Sequence, residues 1–148
     1  MGENERNFIV GILTSDEKVN KALIEKFEGQ KNIAIIDLMN MDGESIKKVV
    51  NNASPDIVIT AEDAFLTAGN RKKFDELIKA DKNTSFLAIY NSKNAETMLE
   101  IFNILSKKGP IVLPCKIENY EDYRILTTNV QGVINEKTQL ALRAKKQF

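Results

Sequence analysis

Histidine and tryptophan are both missing from this 148-residue chain, and cysteine occurs once. Without imidazole the chain has no histidine acid–base catalysis, no histidine phosphotransfer and no imidazole metal ligation. Cys115 as the single thiol excludes an internal disulfide and the usual Cys/His zinc sets. It also fits a reducing, cytoplasmic compartment. No metal and no cofactor are expected.

An excess of either charge is missing as well. Lys plus Arg and Asp plus Glu number 21 each, so the net charge is zero. A neutral chain lacks the basic footprint of a nucleic-acid binder. No apolar run approaches the roughly 18 residues that span a bilayer, so no membrane insertion is expected. The polar start, MGENERN, is no secretory leader. Arg6 breaks the myristoylation pattern. Neither GxGxxG nor GxxxxGK[ST] occurs. Asn83-Thr84-Ser85 fits the N-glycosylation pattern, but nothing supports secretion.

What is present is an alternation of short apolar runs and helical patterns. FIVGIL (8–13), IAIIDL (33–38), DIVITA (56–61), SFLAIY (85–90) and IVLP (111–114) read as strands. Between them, 16–27, 43–53, 70–80 and 95–108 carry apolar residues at three- and four-residue steps. Gly109 is placed to end the fourth helix. Near-continuous apolar strands separated by helices predict βαβ crossovers and a parallel sheet covered on both faces. The fold class is therefore α/β and doubly wound, and folds of this size include the flavodoxin-like strand order 2-1-3-4-5, which is the order expected here.

From Glu118 the pattern stays helical. Tyr123, Leu126, Val130, Val133, Ile134, Lys137, Leu140 and Ala144 recur at three- and four-residue steps. A continuous helix there would run roughly 30 residues against a usual 11–12, with Gly132 as its weak point. Residues 136–148 are read as a helical connector to a further domain, and 7–135 as the domain proper.

Function in a doubly wound sheet sits at the carboxyl ends of the strands. The first strand ends in Thr14-Ser15-Asp16-Glu17. Thr14 with Glu17 makes a capping box, and a shifted Mg²⁺ site through Asp16 is the other reading. The third strand runs Pro55-Asp56-Ile57-Val58-Ile59-Thr60-Ala61, followed by Glu62 and Asp63. The fourth ends in Tyr90-Asn91-Ser92. The fifth reads Gly109-Pro110-Ile111-Val112-Leu113-Pro114-Cys115, with Tyr120 after it.

In order, lengths and the placement of Pro55 and Pro114, residues 7–135 resemble the receiver domain of bacterial response regulators. The resemblance implies an acidic Mg²⁺-holding pair at Thr14 and Ser15, a phospho-accepting Asp at Ala61 and a Lys at Leu113. All of these positions are degenerate, so the chain looks like an atypical, or pseudo-, receiver without catalysis. Glu62 or Asp63 would be a displaced substitute for the acceptor, or part of a solvated acidic loop. The receiver's Thr/Ser slot falls on Tyr90 or Asn91. By the same resemblance the Leu113–Pro114 bond is expected to be cis.

The resemblance implies a phosphorylation-independent interaction or signalling module acting on a protein partner or as a homodimer. Met98, Phe102, Tyr120 and Tyr123 are its interface candidates. The architecture is similar to the TadZ/CpaE group of pilus-assembly localisation proteins, in which such a domain precedes a ParA/MinD-like ATPase. A pseudo-receiver of a transcription regulator is the first alternative. A flavodoxin-like small-ligand protein is the second, although Thr14-Ser15 offers little of the Ser/Thr/Gly-rich turn that a phosphate needs.

Overall fold

The computed structural model describes residues 7–52, 54–65, 67–80, 84–109 and 111–146. The MGENER segment, Ala53, Asn83 and Pro110 lie outside the described residues, as do the side chains of Ala144, Lys145 and Lys146. Among the described residues the order is β1 (Phe8–Leu13), α1 (Glu17–Phe27), β2 (Ile33–Asp37), α2 (Gly43–Asn52) and β3 (Ile57–Thr60). A 3-10 turn (Glu62–Phe65), α3 (Ala68–Ala80), β4 (Ser85–Tyr90), α4 (Ala95–Lys107), β5 (Ile111–Lys116) and α5 (Asp122–Lys146) follow. The strands form one parallel sheet ordered β2-β1-β3-β4-β5.

Two apolar layers hold the sheet. On one face β1 and β3 meet α1 and α5 through Val19, Leu23, Phe27, Leu126 and Val130. On the other, Val58, Phe86 and Ala88 meet α2, α3 and α4 through Ile46, Phe74, Leu77 and Met98. The central strands β1, β3 and β4 have apolar side chains on both sides, which is why their sequences lack polar alternation. Each fully buried Leu, Ile or Phe contributes about 1.5–3 kcal/mol of transfer free energy. Gly11 answers to close packing: a Cβ there would lie 2.4 Å from Leu38 Cδ1.

Three local details depart from the sequence expectations. The N-cap of α1 is Asp16, not Thr14. Its Oδ1 accepts from Lys18 N at 3.0 Å, while Thr14 Oγ1 accepts from Asp16 N at 3.3 Å. The carboxylate sits nearer the first free N–H groups of the helix and takes the capping role.

The Leu113–Pro114 bond is trans, since the described residues hold no cis peptide. The physical reason is that β5 does not stop at Pro114. It continues to Lys116, with Pro114 opposite Ala88 and Cys115 opposite Ile89. An edge strand tolerates the missing proline N–H.

Finally, the tail helix starts at Asp122 and runs unbroken past Gly132. The turn before it is capped by Asp122 Oδ2, which accepts from Glu118 N at 2.7 Å and Asn119 N at 3.2 Å. Leu126, Val130, Val133 and Ile134 anchor the helix on both sides of the glycine, so packing outweighs about 1 kcal/mol of lost propensity. At about 1.5 Å per residue, its 25 residues span about 37 Å.

Candidate functional site

The carboxyl ends of the strands bring Thr14, Ser15, Asp16, Asp37, Ala61, Glu62 and Asp63 to one edge. The side chain of Asp63 closes the first loop from inside the protein. Its Oδ2 accepts from Ser15 N at 2.6 Å, Ser15 Oγ at 2.5 Å and Thr14 Oγ1 at 3.1 Å. The 3-10 turn after β3 carries Asp63 across to this position, 48 residues from Ser15. Its other oxygen, Oδ1, is buried without a hydrogen-bond partner. The donors that could cradle an anion at the start of α1 are thus occupied by an internal carboxylate.

The other strand ends are laced in the same way. Glu62 Oε2 accepts from Asn94 Nδ2 at 3.0 Å. Asn91 and Asn94 exchange side-chain-to-backbone bonds that shape the turn after β4. Glu118 Oε1 accepts from Ser92 N at 2.6 Å and also from the Ser92 hydroxyl. Those two bonds, hydroxyl first, hold the Glu118 carboxyl below the usual range, with Lys116 3.7 Å away assisting. Tyr90 is half-buried, and its ring meets Phe102 edge-on at 6.1 Å and 87°.

Ala61 lies at the end of β3, half-buried against the α1–α5 core, and contributes only a methyl group. Leu113 is 39% exposed on the edge strand opposite Leu87. The β1–β2 end has a hollow of about 200 Å³ lined by Thr14, Ser15, Asp16, Glu17, Asp37 and Asn40, an acidic set that repels anions. Among the described residues no three His, Cys, Asp or Glu side chains gather as a metal group. No described helix is long and apolar enough to cross a membrane.

The interface candidates separate. Met98 is 0% exposed; it faces the sheet from α4 and offers no surface, so its place as a candidate is corrected to core. Phe102 is half-buried against the same layer. Tyr123 turns inward, and its hydroxyl donates to Asp16 Oδ2 at 2.7 Å, tying α5 to the cap of α1. Burial, then the Asp16 carboxylate, pushes its phenol well above the ordinary value. Tyr120 is 66% exposed. Burial likewise raises the Cys115 thiol, although Asn129 Nδ2 approaches Sγ at 3.8 Å.

Sequence reasoning had not picked out the apolar surface at the β5 edge. Ile111 (59% exposed) and Leu113 stand exposed on β5; Leu99 on α4 and Ile125 on α5 are exposed too, while Ile104 on α4 lines a groove with Phe65 and Arg71 on the α3 side. Their signal was available as apolar residues off the buried helix stripes, but an edge position is known only once strand order is.

No family model and no curated protein matches the chain. Among solved structures, it resembles the flavodoxin-like domain of a Synechococcus sp. protein, with a TM-score of 0.51 and 11% identity over 84% of this chain and 99% of that one. It also resembles a diflavin flavoprotein from Nostoc sp., with a TM-score of 0.58 and 10% identity over 91% of this chain and 97% of that one. At such identities the likeness shows the fold, and the fold is flavodoxin-like.

Proposed function

We propose that this domain is a non-enzymatic, phosphorylation-independent interaction module whose working surface is the β5 edge and whose partner is a second copy of itself. The observation that carries the reading is the exposed aliphatic pair Ile111 and Leu113 on β5, the last strand of the sheet, whose outer edge has no strand beside it among the described residues. Exposed aliphatic side chains on an open strand edge favour pairing with another chain. A two-fold axis normal to the sheet beside β5 would pair the two edge strands antiparallel, place Ile111 and Leu113 of both copies on one face and join the two sheets.

The strand-end chemistry supports the same reading from the other side. Ala61 offers no nucleophile, Leu113 no cation, and the donors of Thr14 and Ser15 are taken by Asp63. The receiver resemblance extends this to a dimerising or localising role beside a ParA/MinD-like ATPase in pilus assembly, with a pseudo-receiver of a transcription regulator as the alternative.

Sedimentation velocity tests the proposal. Wild type should self-associate in a concentration-dependent way, and Ile111→Lys with Leu113→Lys should shift it to monomer with the circular dichroism unchanged. A wild type that stays monomeric at all concentrations, or a folded double variant that still dimerises, overturns it.

A flavin-binding reading draws on the diflavin flavoprotein likeness. Asp63 in the first loop and the acidic hollow beside it oppose a flavin phosphate there. Titration with flavin mononucleotide should leave the flavin fluorescence unquenched. Stoichiometric quenching would replace the interaction reading with ligand binding.

A further inference from the structure

The α1–α5 face carries a separate surface that neither the β5 edge nor the strand ends use. Helix α1 buries Val19, Leu23 and Phe27. Its neighbouring stripe, Lys18, Lys21, Ala22 and Lys26 with Glu25, lines a groove of about 400 Å³. The opposite wall is built by Tyr120, Tyr123, Arg124 and Thr127 at the start of α5. Four cations therefore face one carboxylate, in a chain whose net charge is zero.

Among the described residues none of the four is spent on an ion pair. The described salt bridges join Lys47 to Glu44, Lys108 to Asp75 and Lys116 to Glu118, all elsewhere. Lys18 and Lys21 lie three apart on one helix, where like charges repel. A bound anion relieves that repulsion.

In the aromatic wall, Tyr120 is likewise uncommitted. Tyr120 stands largely in solvent, its ring 6.3 Å from that of Tyr123 and tilted by 51°. Tyr123 is held in place by its bond to Asp16 and gives Tyr120 a fixed neighbour beside the cations. The backbone at the head of α1 is already capped by Asp16, which leaves anion recognition to the side chains.

We propose that this groove binds a nucleoside polyphosphate, with the phosphates among Lys18, Lys21, Lys26 and Arg124 and the base against Tyr120. The arginine supplies a planar fork suited to phosphate oxygens, and the lysines supply point charges on flexible stems. Stacking of a base on an exposed aromatic ring contributes about 1–3 kcal/mol. The groove falls within the usual span of small-ligand sites, about 300–1,000 Å³. Because the cations are solvent-exposed, binding weakens as salt rises.

The test is titration of ADP into the ¹⁵N-labelled chain, followed by amide shifts. The expected result is saturable shifts confined to α1 and the start of α5, with Kd below about 1 mM. Lys21→Ala with Arg124→Ala should weaken ADP by at least about tenfold. Tyr120→Ala should weaken ADP several-fold yet leave inorganic pyrophosphate unchanged. These residues are exposed, and an unchanged unfolding midpoint confirms that each variant is folded. Absence of groove shifts at about 10 mM ADP would overturn the proposal. So would shifts indifferent to the double substitution, pyrophosphate binding as tightly as ADP, or a glutamate-rich peptide outcompeting ADP for the groove.

Discussion

Replacing Asp63 with alanine removes the carboxylate that closes the first strand-end loop, and the outcome can be worked from its contacts. Three donors converge on Oδ2: Ser15 N, Ser15 Oγ and Thr14 Oγ1. A hydrogen bond to a charged group is worth about 1.5–3 kcal/mol. Ser15 is exposed, so water takes the place of Asp63 at two of the three donors. Thr14 is only 5% exposed, and its hydroxyl loses an acceptor that water reaches poorly. Against this, Asp63 Oδ1 is buried without a partner, a cost that alanine relieves. The balance is a loss of about 1–2 kcal/mol, which for a domain of this size lowers Tm by about 3–8 °C. Urea unfolding followed by circular dichroism reads it, with the m-value unchanged. A variant as stable as wild type would refute the view that Asp63 is the loop's internal anion.

Three further outcomes follow from the same contacts. Tyr123 has a raised phenol, so the stability it contributes is fully present below the free phenol's value of 10.0 and falls as pH rises toward its folded value. In a tyrosinate absorbance titration Tyr123 should ionise above the free phenol's value, and Asp16→Asn should bring it down. Phe86→Ala should cost about 3–5 kcal/mol, because the ring is fully buried and packs 4.9 Å from Phe74; exposed Leu99→Ala should stay within about 0.5 kcal/mol. Incubation with Mg²⁺ and acetyl phosphate should leave the intact mass unchanged, and a phosphoryl group gained on Glu62 or Asp63 would show an active acceptor.

Much of the fold was legible from periodicity alone. The unbroken apolar runs of β1, β3 and β4 have no polar alternation because both faces are covered, and that implies crossovers and a parallel sheet. Spacing at four-residue steps likewise identified Val19, Leu23 and Phe27 as the buried stripe of α1. Edges were read less well. The fifth strand was expected to stop at Pro114 with a cis bond, whereas the edge position lets a trans proline remain in the strand. Met98 was offered as surface, because an apolar residue on a helix does not declare which side of its stripe meets the sheet.

By itself the sequence determined composition-level facts and local order: which chemistries lack their residues, where strands and helices alternate, and that Ala61 has no nucleophile. Only the tertiary structure decided which groups meet. Asp63 reaches Ser15 across 48 residues, Tyr123 reaches Asp16 across 107, and Ser92 meets Glu118 across 26. Hydrophobic pattern is a one-dimensional property with a local period. Such hydrogen bonds depend on strand order and on the twist that brings distant loops to one edge, and no local period records either.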